Sequence, residues 1–173
     1  MRRRTFVAAG ISAVAAGTSI SCGGNQAGWR FFTAEEARAV DAICEQIIPA
    51  GPHPGAHDAR VVNYIDIQLT RHFRKHQETY RRGIAGVEAA GRKKFGRRFV
   101  ELSPEQQVEI LSDAEEKSKA FFELILAHTR QGFYGDPRHG GNHNMVSWKM
   151  LGLPSPPIRG RERSVWPGFF CPA

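Results

Sequence analysis

Between residues 34 and 151 apolar side chains return at steps of three and four, and nowhere do they alternate in twos between hairpin turns. That single pattern decides the fold class, because a helix repeats every 3.6 residues and a half-buried strand every 2. Val40, Ile43 and Ile47 make one such face, and Val61, Ile65, Leu69 and Phe73 make a second at strict four-residue steps. Tyr80, Ile84, Val87 and Gly91 follow on a segment from about His76 to Phe95, then Val108, Leu111 and Ala114, then Phe121, Phe122, Ile125 and His128. The expected fold is all-α: an irregular helical bundle with a Gly-rich loop and an extended, Pro- and aromatic-rich C-terminal tail.

Punctuation marks the helix ends. Thr33-Ala34-Glu35-Glu36 and Ser103-Pro104-Glu105-Gln106 are capping boxes, in which a hydroxyl and a carboxylate or amide three residues on satisfy each other's backbone donors. In the second, proline holds the first helical position, where its missing N–H costs nothing. Pro49 stops the first helix, and residues 51–55 (Gly-Pro-His-Pro-Gly) form a loop. Asp58 is the expected N-cap of the second helix. Gly83, Gly86 and Gly91 weaken the third by up to ~1 kcal/mol each relative to alanine, so close approach of other groups is expected there. Ser118 leaves open whether the segment after Ser103 is one helix or two.

The two ends differ in character. Arg3 and Arg4 precede Thr5, Phe6 and a weakly apolar stretch reaching Ile20, which resembles a twin-arginine export signal. The stretch is shorter and less apolar than the ~20 residues a bilayer-spanning helix needs. Ser19-Ile20-Ser21 fits a cleavage site, and Cys22 behind it is a candidate for lipidation, although Ser19 stands where a lipobox carries leucine. The expected layout is a signal over residues 1–21, a linker over 22–31, a helical domain over 32–151 and an arm over 152–173. Net charge is +7, but the signal holds Arg2, Arg3 and Arg4 and no acid, so the exported part is only mildly basic. The destination expected is the periplasm, by the twin-arginine route, with a membrane anchor if Cys22 is acylated.

Little here promises chemistry. There is no Gly-x-Gly-x-x-Gly, no Gly-x-Ser-x-Gly, no Cys-x-x-Cys and no Cys-x-x-Cys-His, so dinucleotide, serine-nucleophile, iron–sulfur and covalent haem sites lack their frames. Three cysteines include Cys44, which falls inside a helical pattern and reads as a small buried hydrophobe. Cys171 near the end is a candidate for an intersubunit disulfide, a free thiol or a pair with Cys44. His72 and His76 sit among cations that repel a metal; His139 and His143, near Asp136, are the better metal candidates. His53 and His57 are expected in solvent. Residues 71–98 hold ten Lys or Arg against Glu78 and Glu88. In an exported protein this is a solvated face or a contact for an acidic surface, and no nucleic acid partner is expected.

Residues 132–142 (Gly-Phe-Tyr-Gly-Asp-Pro-Arg-His-Gly-Gly-Asn) followed by Trp148-Lys149-Met150-Leu151-Gly152 resemble the signature of the gluconate 2-dehydrogenase subunit 3 family. Residues 61–69, after Pro54-Gly55-Ala56, and Leu102-Ser103-Pro104-Glu105-Gln106-Gln107 resemble two further blocks of it. The resemblance implies a non-catalytic small subunit of a periplasmic sugar, sugar-acid or glycoside dehydrogenase, with no catalytic, cofactor-binding or metal-binding residue of its own. It implies FAD in a large subunit of the glucose–methanol–choline type and haem c in a cytochrome subunit. It further implies that the small chain carries the signal, through the twin-arginine translocase, for a large one that lacks it. Candidate partner contacts are Phe133, Tyr134, Asp136, Arg138, Asn142 and Trp148 in the signature and Trp166, Phe169 and Phe170 in the arm. The alternatives are a stand-alone metal-dependent enzyme using His139 and His143, or a lipid-anchored assembly chaperone.

Overall fold

The computed structural model describes residues 28–153. Arg3, Arg4, Phe6, Cys22, Trp166, Phe169, Phe170 and Cys171 lie outside the described residues. Six α-helices follow one another with no strand among the described residues: α1 Ala34–Ile47, α2 Val61–Leu69, α3 Gln77–Phe95, α4 Pro104–Lys117, α5 Lys119–Tyr134 and α6 Val146–Met150. Both capping boxes form, Thr33 accepting from the Glu36 amide and Ser103 from that of Gln106. The apolar stripes meet around α2, which packs on α1 and α5, while α3 and α4 close the other side. Val40, Ile43, Ile65, Leu69, Tyr80, Phe99, Ile110 and Ile125 form the centre of one continuous core.

The second helix begins later than Asp58. Arg60 is its N-cap, in the left-handed conformation and without a side-chain cap, while the Asp58 carboxylate accepts the Gly55 amide in the turn before. The displacement follows from burial: Ala56 and Ala59 are drawn fully inside, and the Ala56 carbonyl already takes the Val61 amide. Helix α2 also ends at Leu69, so Phe73 reaches the core from a turn, its amide bonded to the Gln68 carbonyl. His72 and His76 therefore share no helical face, and His76 closes a short 3₁₀ turn, Arg74–His76.

Ser118 divides α4 from α5, capping both with φ −128° and ψ 42°. The break turns Phe121 inward, where its ring occupies the space a Cβ on Gly83 would need. Gly91 lies against the Arg97 carbonyl, but Gly86 faces open space, contrary to the close approach expected there. In α4 the expected Val108 is half-exposed and Gln107 is buried instead. Gln107 bridges elements, donating to the Phe99 carbonyl at 3.0 Å and accepting from Gln46 at 2.8 Å. No helix among the described residues is long and apolar enough to cross a membrane.

Candidate docking face

Two buried polar side chains orient the surface. Asp66 interrupts the apolar face of α2, and its carboxylate accepts the amides of Arg30, Phe31 and Phe32 at 2.7, 2.9 and 2.9 Å. A buried carboxylate is tolerable only when its lone pairs are filled, and three backbone donors fill them. Arg81 strengthens the same staple: it pairs with Glu36, donates to the Phe31 carbonyl at 3.0 Å and lies 4.3 Å over the Phe31 ring. The sequence reading passed over Asp66. Its signal was a lone acid between Ile65 and Ile67, in a helix otherwise short of charge.

The second is Asn142, at the end of the glycine-rich segment. Its Nδ2 donates to the Gly135 carbonyl at 3.0 Å, and its Oδ1 accepts the Ser147 amide at 3.0 Å, so one amide side chain ties the end of α5 to the start of α6. Its own N–H reaches the Gly132 carbonyl at 2.8 Å. Only asparagine combines this donor–acceptor pair with ready access to its left-handed backbone, φ 43°. Gly132 lets α5 meet α2: an added Cβ would stand 2.9 Å from Tyr64 and 3.1 Å from Val61. Gly140, at φ 99°, offers its carbonyl to Asn63 Nδ2 at 2.7 Å. The His143 amide bonds the Ala59 carbonyl and completes the junction with the lead-in to α2.

This frame sorts the candidate contacts. Phe133 is 1% exposed and Asn142 0%, so neither reaches a partner; both hold the corner together from inside. Asp136 caps the turn Pro137–His139 and grips Arg138 Nε and Nη2 at 3.0 and 2.6 Å, which holds its carboxyl below the usual carboxylate range. Arg138 itself is exposed. Tyr134 and Leu151 are 46% and 53% exposed, and half-buried Trp148 fixes its ring by donating Nε1–H to the Tyr134 carbonyl at 2.9 Å. The α5–α6 corner thus presents an aromatic and aliphatic surface on a hydrogen-bonded base, the composition of an interface centre.

Two buried titratable groups, His128 and Cys44, are held by packing. His128 is buried, stacked on Phe73 with centroids 3.8 Å apart, and hydrogen-bonded through Nδ1 to the Tyr80 hydroxyl at 2.9 Å. Burial, with neighbouring His76 adding repulsion, pushes its pKa down to about 4. Cys44 is a buried free thiol that accepts from the Thr129 hydroxyl, and burial pushes it up to about 12, far from a reactive thiolate. His57 is exposed, as expected, yet its Nδ1 lies 2.6 Å from Asp41, which raises its pKa. His139 is exposed and His143 half-buried, and no three His, Cys, Asp or Glu side chains gather to hold a metal among the described residues.

The class defined by the described residues is an all-α helical domain whose glycine-rich segment shapes an exposed apolar corner. The model of the family described as gluconate 2-dehydrogenase subunit 3 matches residues 34–154, from the first residue of α1 to just beyond α6. The chain belongs to that family. No curated protein and no solved structure matches it.

Proposed function

We propose that this chain is the accessory, non-catalytic subunit of an exported FAD-dependent sugar, sugar-acid or glycoside dehydrogenase. It holds the flavin-binding large subunit and escorts it through the twin-arginine translocase to the periplasm, where a cytochrome c subunit takes the electrons. The observation that carries this reading is the family match over residues 34–154, and the exposed Tyr134 and Leu151 beside half-buried Trp148 support the α5–α6 corner as the contact. The chemistry of oxidation belongs to the flavin of the partner. This chain contributes shape, an apolar contact and, through Arg3, Arg4 and Phe6, the address. Cys22 is the candidate anchor on the far side of the membrane, and Trp166, Phe169, Phe170 and Cys171 remain candidate contacts with the partner outside the described residues.

The test is co-expression with a flavin-binding large subunit of such a dehydrogenase, scored by where dehydrogenase activity accumulates. Changing Arg3 and Arg4 together to lysine traps both chains in the cytoplasm, with at least a tenfold loss of periplasmic activity. Undiminished export of the large subunit refutes the escort role.

A further inference from the structure

The described residues contain four non-glycine residues at positive φ: Arg60, Asn142, Asn144 and Met145. All four lie where the lead-in to α2 meets the turn before α6, the place where the His143 amide bonds the Ala59 carbonyl. Asparagine tolerates this conformation, but arginine and methionine do not adopt it without support, and such backbone concentrates at ligand clamps and binding sites. Beside the junction, between it and α1, opens a cleft of about 410 Å³. Ala37 and Val62 form its floor and Trp29 one wall, so most of its surface is apolar. The Asp66 staple holds residues 30–32, next in sequence to Trp29.

The rim carries two guanidinium groups. Arg38 and Arg60 are exposed at the mouth, and Arg60 makes no ion pair among the described residues. Arg38 has only Glu35 for company, at 3.9 Å between two exposed side chains. The two acids of the cleft are already engaged, Asp41 with His57 and Asp58 with the Gly55 amide. An apolar socket with a Trp wall and the guanidinium of Arg60 free of any ion pair among the described residues selects for a ring that stands next to a negative charge.

We propose that this cleft receives an aromatic side chain flanked by a carboxylate, presented by a loop of the dehydrogenase's catalytic subunit. The ring lies on Ala37 and Val62 against Trp29, and the carboxylate takes Arg60. The cleft is thus a second anchor point, reached around the junction from the α5–α6 corner. This assignment rests on the accessory-subunit reading.

The test measures the affinity of the full-length chain for its co-expressed catalytic subunit at low and high salt. Arg60→Glu, on the surface, weakens binding at least tenfold at low salt, and the loss shrinks at high salt. Val62→Trp, which fills the floor, weakens it at least tenfold at either salt. Arg74→Glu, in the turn after α2, leaves affinity within twofold, and melting curves show that each variant folds. If Val62→Trp does not fold, Arg60→Glu decides alone. A folded Arg60→Glu chain that binds within twofold of wild type overturns the cleft and leaves the accessory role standing; a wild-type chain that does not bind the catalytic subunit overturns both. Loss of binding to phosphatidylglycerol vesicles in Arg60→Glu, with subunit affinity unchanged, assigns the cleft to lipid and overturns the proposal.

Discussion

The core around α2 and the corner from Gly132 to Met150 are held by different forces. In the core, Ile43, Ile65, Leu69 and Ile125 are buried against one another, and burial of apolar area does the work. In the corner Phe133 is buried too, but the shape is set by glycines, backbone carbonyls and the Asn142 amide, and much of the work falls to hydrogen bonds with fixed geometry. Apolar packing is non-directional and accepts substitutes of equal volume, whereas a donor–acceptor pair at a left-handed residue accepts almost none. A region of the second kind can hold an exposed apolar surface in one shape, which the first kind, needing that surface for itself, cannot.

Substitution separates the two. Ile65→Ala should cost about 2–5 kcal/mol and lower the cooperative melt of the whole chain, while Ile65→Leu stays below about 1.5 kcal/mol. Asn142→Ala should cost about 2 kcal/mol by leaving the Ser147 amide and the Gly135 carbonyl unmatched. Its damage is local: amide exchange accelerates at Ser147 and partner binding falls, with the melt of α1–α4 little changed. An Asn142→Ala chain that melts as one unit with Ile65→Ala, or an Ile65→Ala chain that loosens only near α2, would erase the contrast.

Acid tests the core alone. His128 has a folded pKa of about 4 against about 6.5 unfolded, so the unfolded chain binds the proton first. Its contribution is fully present above the unfolded value and is lost as pH falls from about 6.5 towards 4, a loss of order 2–3 kcal/mol. In denaturant titrations at pH 7 and pH 4.5, the doubly substituted Tyr80→Phe, His128→Phe chain should lose less stability on acidification than wild type. An equal loss in both would remove His128 from the account.

How far the sequence could be read follows the same division. Periodicity exposes apolar packing, so the faces of α1, α2 and α3, both capping boxes and the interior place of Cys44 were all legible. The glycine-rich segment was legible as a motif, but its geometry was not: Phe133 and Asn142 look like contact residues in the text and prove to be buried. Nothing in the spelling of Asn142 says that it reaches Gly135 and Ser147. Asp66 and Gln107 escaped for a related reason, since their partners, backbone groups and the Gln46 side chain, lie 8 to 61 residues away. The onset of α2 was misplaced because burial of Ala56 and Ala59 outweighed the local capping preference of Asp58.

The central claim is that the α5–α6 corner is a docking face. Amide hydrogen exchange of this chain, free and bound to its co-expressed flavoprotein, addresses it directly. The account predicts protection on binding at Tyr134 and across residues 146–151, with the already buried amides of α2 unchanged. Protection confined to α3 and α4, with the corner exchanging as fast in the complex as in the free chain, would contradict it.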